Sequence, residues 1–267
     1  MNRSLRHSLL CIAAPFACVA SVVRAQEIAV KAASEPVTFV SGELSHVSFS
    51  GDTDAWRLAS VALWRRSSAG TFIARVNYAR RFATDGLQVE ADAYPRVSDK
   101  VYLYFNAGYS GATVFPAWRS GAEVFTALPA AWEASVGVRQ LRFHGVPVTM
   151  LTGAVGKYVG NYWISLRPYL RTRDGTTSAT TTLQARRFFE DGDHWVGAVV
   201  TAGGSPTERV TPDAVGLTHT FGVAVNGSTG LSPRLLATWA IGHDAERLSP
   251  GNTRRSFTVT AGLRRSF

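Results

Sequence analysis

Cysteine occurs only twice, at Cys11 and Cys18, and both lie in the first apolar stretch of the chain. Removing that stretch leaves no thiol, which excludes a disulfide scaffold, a thiolate metal site and a cysteine nucleophile. Long hydrophobic runs are missing too. Past residue 25 no run of 18 or more apolar residues occurs, so no membrane-spanning helix is expected. That says nothing against membrane strands, whose hydropathy signal is weak. Charge is sparse: Asp, Glu, Lys and Arg make up 18% of the residues, few for a chain with a water-facing outer surface. Metal patterns are lacking as well. His46, His144, His194, His219 and His243 are scattered, with no HExxH or paired CxxC, so neither metal nor cofactor is expected. His144 and His194 fall at turns, where a solvated imidazole is the ordinary state.

What is present begins with a leader. Arg3 and Arg6 precede an uncharged apolar core from Leu9 to Val23, and Val23-Arg24-Ala25 offers small residues where a signal peptidase reads. Residues 1–25 therefore read as a cleaved secretory signal peptide. A lipidated Cys18 is the rival reading, but Pro15 and Phe16 suit it poorly. After cleavage before Gln26 about 240 residues remain, with 25 basic and 19 acidic residues, an excess of 6. In an exported chain that excess speaks for anionic lipid head groups or polysaccharides and against nucleic acid. Residues 26–40 lack alternation and are expected to form a short periplasmic extension, with one β domain over 41–267.

From about Gly42 onward, runs rich in Val, Thr, Tyr, Phe and Trp alternate with Gly, Asp, Asn, Ser and Pro clusters, the mark of successive strands and turns. Fourteen runs are predicted, near 41–50, 55–66, 71–82, 87–94, 101–110, 119–128, 132–143, 147–158, 162–173, 177–189, 194–203, 215–226, 232–244 and 255–267. Merging one hairpin would give twelve. Within them side chains alternate: Ile164, Leu166 and Leu170 oppose Ser165, Arg167, Tyr169 and Arg171, while Leu87, Val89 and Ala91 oppose Gln88, Glu90, Asp92 and Tyr94. A strand sends successive side chains to opposite faces, so each run has one apolar and one polar face.

A soluble sandwich would turn the apolar face inward, an outer-membrane barrel outward. Strand lengths near ten residues fit a tilted membrane crossing. Aromatics near strand ends (Trp56, Trp64, Tyr109, Trp118, Trp132, Tyr158, Tyr162, Trp195 and Trp239) fit interfacial girdles. The last strand ends on Phe267, where barrel-assembly machinery reads its tag, although Arg265 interrupts the apolar face. With both termini periplasmic, the longest predicted loops, 111–118, 204–214 and 245–254, all fall outside the cell. The expectation is an all-β, antiparallel, up-and-down transmembrane β-barrel in the outer membrane of a Gram-negative envelope.

The runs GLQVEADAYPR, FPAWRSGAEVFTALPAAWEASVGVR, GAVGKYVGNYWISLRPYL and ARRFF resemble the YaiO-like outer-membrane proteins. The GKY-x-GNYW-x-SLR-x-Y block is the most specific part. The resemblance implies an outer-membrane barrel and brings no catalytic residues with it; relatives of such barrels are associated with surface polysaccharide export.

Three chemistries compete for the polar face. Arg75, Arg139, Arg167, Arg171 and Arg186 with Glu90, Asp92, Glu123 and Glu133 can brace the wall as cross-strand ion pairs. In a narrow pore, or in a component of polysaccharide export, the same arginines would contact an anionic or saccharide solute, with Tyr102, Tyr104 and Tyr169 as stacking surfaces. A lipid-modifying hydrolase would pair His46 with Ser48 on the first strand, without an evident orienting carboxylate. No segment is long enough for a folded plug. Outer-membrane lipid and lipopolysaccharide are the expected surroundings.

Overall fold

Period-two alternation sustained over nine to sixteen residues specifies strands, and the described residues form fourteen. The computed structural model describes residues 36–51, 53–81, 83–143, 146–173, 176–189, 192–204, 217–248 and 253–267. The expected signal peptide, nearly all of the expected extension and His144 lie outside the described residues. The strands are β1 Val37–Phe49, β2 Trp56–Ser67, β3 Gly70–Arg81, β4 Thr84–Pro95, β5 Val101–Tyr109, β6 Trp118–Leu128 and β7 Trp132–Phe143. They continue as β8 Val146–Val159, β9 Tyr162–Arg173, β10 Thr176–Phe189, β11 His194–Gly203, β12 Leu217–Ser232, β13 Leu235–Leu248 and β14 Thr253–Ser266.

Each strand pairs antiparallel with its sequence neighbours, and β1 pairs with β14 from Phe39↔Ser266 to Phe49↔Ser256, closing the ring. Closure leaves no strand edge, which lets a sheet sit in hydrocarbon with its backbone groups satisfied. β1 begins where β14 ends, so both termini share one end, called here the terminal end. The opposite, distal end carries the odd-numbered connections, among them the one at 110–117.

Two boundaries differ from expectation. The barrel starts at Val37, inside the expected extension. The expected loop 245–254 is mostly strand, because Ala245↔Arg255, Glu246↔Arg254 and Arg247↔Thr253 pair in register. The Glu246–Arg254 ion pair (2.7 Å) fastens that hairpin near its tip.

The apolar faces point out. Leu44 is 68% exposed and Val136 69%, and Val61, Val76, Val89, Leu151, Leu166, Leu183 and Ile241 continue the belt round the barrel. A water-facing surface with that much contiguous apolar area would aggregate; facing acyl chains it is the stable arrangement.

Candidate functional site

The inward faces meet in the lumen, and its chemistry changes round the ring. From β3 to β9 the lumen is packed with charge. Arg75 reaches both Glu90 (3.4 Å) and Asp92 (3.1 Å), and Arg119 reaches Glu90 (3.3 Å). Asn106 donates to Glu90 (2.8 Å) and to Asp92 (2.7 Å), while Arg119 Nε donates to the Asn106 carbonyl oxygen at 3.0 Å. A second knot forms around Glu123. Arg139 pairs with it from the adjacent strand β7, and Arg167 reaches it from β9 at 2.8 Å, across the hollow of the wall. The Glu123 carboxylate is fully buried, so its two arginines offset a desolvation cost that either alone would leave largely unmet.

Glycine makes these long side chains fit. Arg139 and Arg119 lie over their cross-strand neighbours Gly121 and Gly108. A Cβ there would sit 2.7 Å from Arg139 Cδ or 2.8 Å from Arg119 Cγ, closer than carbon atoms approach.

This arc is closed at both ends. At the terminal end Phe39, Trp64, Ile73, Tyr94, Tyr102, Tyr104 and Phe125 pack together. Tyr102 stacks on Phe125 (4.5 Å between centroids) and its hydroxyl donates to Glu133 at 3.4 Å. Tyr104 lies under the Arg139 guanidinium (4.5 Å) and donates to Asp92 at 3.2 Å. Two of the three tyrosines expected to stack on sugars thus have their rings engaged within the wall. At the distal end the 110–117 connection folds inward: Val114 and Phe115 are buried, and Arg81 donates to the Val114 carbonyl at 3.4 Å.

One cluster crosses the distal lumen. Val47 and Trp56 of β1 and β2 pack with Leu141, Phe143, Val148 and Met150 of β7 and β8. β2 and β8 are six places apart in a ring of fourteen, so the barrel is pinched where these side chains meet. Trp56 is central and fully buried, with Arg81 (5.3 Å) and Arg254 (5.1 Å) near its ring. Trp56, Trp64 and Trp195 point inward and are buried, and Tyr158 packs inward as well. They therefore do not belong to the expected girdles, whereas Tyr109, Trp118, Trp132, Tyr162 and Trp239 face outward.

From β10 round to β1 the middle of the inner face is lined mostly by short residues, with Arg186, Asp244, Glu246, Arg254 and Arg264 also turned inward. Thr180, Thr182, Thr201, Thr220, Ser228, Thr238, Thr258, Thr260, Ser41 and Ser45 alternate with Gly and Ala. Hydroxyls pair across strands, Ser45 with Thr260 (2.8 Å) and Thr182 with Thr201 (3.2 Å). Ser41, Glu43, Thr182, Thr201 and Thr238 remain partly exposed within the lumen. Near the terminal end Arg186 lies 3.6 Å from the Trp195 ring centroid, with Trp163 and Phe188 close by. A cavity of about 300 Å³ opens at the terminal mouth of this arc, lined by residues that include Phe39, Asp193, His194, Arg234 and Arg264.

Of the expected site residues, Arg75, Glu90, Asp92, Tyr102, Tyr104 and Arg139 come together in the first arc, with Glu133 beside Tyr102 and Arg167 on Glu123. Tyr169 and Arg171 are buried on the inner face of β9, and Arg186 belongs to the second arc. His46 faces outward, and the Ser48 hydroxyl donates to the Phe257 carbonyl (3.4 Å), not to His46. Phe267 is exposed at the terminal end, its amide donating to the Thr38 carbonyl (2.9 Å). Arg119, Asn106 and the inward fold of the 110–117 connection, expected only as an outer loop at 111–118, are additions of the structure. Arg119 had a signal, because it shares the inward parity of Glu123. Among the described residues no group of three or more His, Cys, Asp or Glu is arranged to hold a metal.

A closed ring of fourteen antiparallel strands, apolar outside and polar within, defines an outer-membrane β-barrel. The YaiO membrane beta barrel domain matches residues 39–208, more than half of the chain, and the chain belongs to that family. Its fold is similar to the outer membrane protein Omp33 of Acinetobacter baumannii, with TM-score 0.51 and 14% identity over 88% of this chain and 99% of that one. It is also similar to the CymD monoaromatic hydrocarbon channel, with TM-score 0.56 and 7% identity over 96% of this chain and 94% of that one. At such identities the likeness is one of fold. Comparison with curated protein sequences gives no match.

Proposed function

We propose that the protein is a narrow channel for small anionic or saccharide solutes, with its route along the hydroxyl-lined arc from β10 to β1. The observation that carries this is the contrast within the lumen. One arc is filled by ion pairs along its length and capped at both ends. The other has its ion pairs, Glu246–Arg254 and Asp193–Arg264, towards its ends and keeps short, partly exposed hydroxyl side chains between them, beneath a cavity at its terminal mouth. Threonine and serine hydroxyls both donate and accept, as sugar hydroxyls require. Arg186 on its indole bed adds a fixed cation and the Trp163 and Trp195 rings add apolar faces, the usual furniture of an anion or sugar path. A saccharide solute would also connect the barrel with surface polysaccharide export.

Planar-bilayer recording tests this. Stepwise conductance with anion preference is expected, and the preference should fall in Arg186→Gln. A barrel that stays silent under all voltages and in Trp56→Ala would overturn the proposal.

A further inference from the structure

The outer wall carries a charged row that the lumen does not explain. His46, Arg57, Arg80 and Asp85 are direct cross-strand partners on β1 to β4, and all four are exposed on the outward face. Arg57 and Arg80 therefore stand side by side, and directly opposed like charges on a sheet destabilise it. Among the described residues neither forms an ion pair. The carboxylate at the end of the row, Asp85, accepts a hydrogen bond from the Tyr78 hydroxyl at 3.1 Å. The row keeps a net positive charge and asks for an external anion.

Its position says which anion. Arg57 is the second residue of β2 and Arg80 the second-last of β3, so the row sits at the distal rim. Directly below it on the same face come Leu44, Ala59, Tyr78 and Leu87 in register, and then Val61, Val76 and Val89. Leu44, Leu87, Val61, Val76 and Val89 are exposed. Cations thus rim an apolar face four strands wide, roughly 15 Å at the usual strand spacing. That breadth suits a lipid with several acyl chains, and two adjacent guanidinium forks suit phosphate esters, which arginine binds bidentately.

We propose that this face, independently of whether the lumen conducts, binds the phosphates of a multiply acylated glycolipid of the outer leaflet, with Arg57 and Arg80 as the phosphate contacts and the valine row against the acyl chains. The distal rim faces the outer leaflet when the termini are periplasmic, so the ligand chemistry is that of phosphorylated lipid A.

The full barrel in detergent, mixed with lipid A and followed by native mass spectrometry, tests this. Wild type should retain bis-phosphorylated lipid A, bind dephosphorylated lipid A roughly tenfold or more weakly, and not prefer phosphatidylglycerol. The R57Q/R80Q double variant should lose retention by a similar factor. Arg65→Gln, at an outward arginine of the terminal end, should keep it. Equal binding of phosphorylated and dephosphorylated lipid A, preference for phosphatidylglycerol, or full retention by the double variant would each overturn the proposal. The lipid comparison uses wild-type protein alone, so it stands even if the double variant does not fold.

Discussion

From β3 to β9 the inner face is filled by long charged and aromatic side chains; from β10 round to β1 its middle carries mostly Thr, Ser, Gly and Ala, and its ion pairs, Glu246–Arg254 and Asp193–Arg264, sit towards the two ends. Both arcs obey the same alternation, and both turn leucine and valine to the lipid. What differs is reach. In the first arc arginines extend over glycines and meet carboxylates on adjacent strands and, through Arg167 and Glu123, across three strand spacings. In the second, hydroxyls along the middle reach only the next strand, and the longer reach, from Arg264 to Asp193, lies at the terminal end. A wall filled by ion pairs resists deformation, while a wall of short side chains leaves space. In the proposed channel the first arc is the rigid side of the barrel and the second is the route.

The largest effect should come from taking the anchor out of the first arc. Glu123→Gln leaves Arg139 and Arg167 buried without their counter-charge, and removing one partner of a buried pair costs about 3–5 kcal/mol. Denaturant unfolding in detergent, read as the loss of heat-modifiable gel mobility, should show this drop. Arg75→Gln should cost less, on the order of 1–3 kcal/mol, because Arg119 still serves Glu90. Trp56→Ala attacks the pinch between the arcs. It should raise conductance in bilayers, and loss of a buried tryptophan should lower stability by about 3–5 kcal/mol. The smallest effect belongs to the second arc. The Thr258 hydroxyl is buried and has no partner among the described residues, so Thr258→Val should leave stability unchanged or raise it by on the order of 1 kcal/mol, and should not lower it. A drop as large as that of Glu123→Gln would erase the distinction between the arcs.

Much of this was readable from residue order. Period two fixed which side chains share a face, so the inward placement of Arg167, Arg171, Glu90 and Asp92 followed from Ile164, Leu166, Leu87 and Val89 being lipid-facing. Strand ends were harder. Trp56 opens β2 beside Arg57, and whether the ring or the guanidinium faces lipid depends on register with β1 and β3, which no single strand encodes. An aromatic at a strand end therefore reads as a girdle residue even where, like Trp56, it packs inside the lumen. Partners across the lumen were unreadable for a related reason: the Arg167–Glu123 contact depends on the width of the lumen. The inward fold of 110–117 depends on the space over Gly86, where a Cβ would collide with Ala112.

The absence of cysteine past residue 18 makes one measurement decisive. Single cysteines at Thr71 on β3, which is 1% exposed, and at Thr201 on β11, which is partly exposed, place one thiol in each arc. A small water-soluble methanethiosulfonate reagent applied to the folded barrel should modify Thr201→Cys readily and leave Thr71→Cys unreacted until the barrel is unfolded. Equal reaction rates, or faster reaction at Thr71→Cys, would contradict the division of the lumen into a filled arc and an open one.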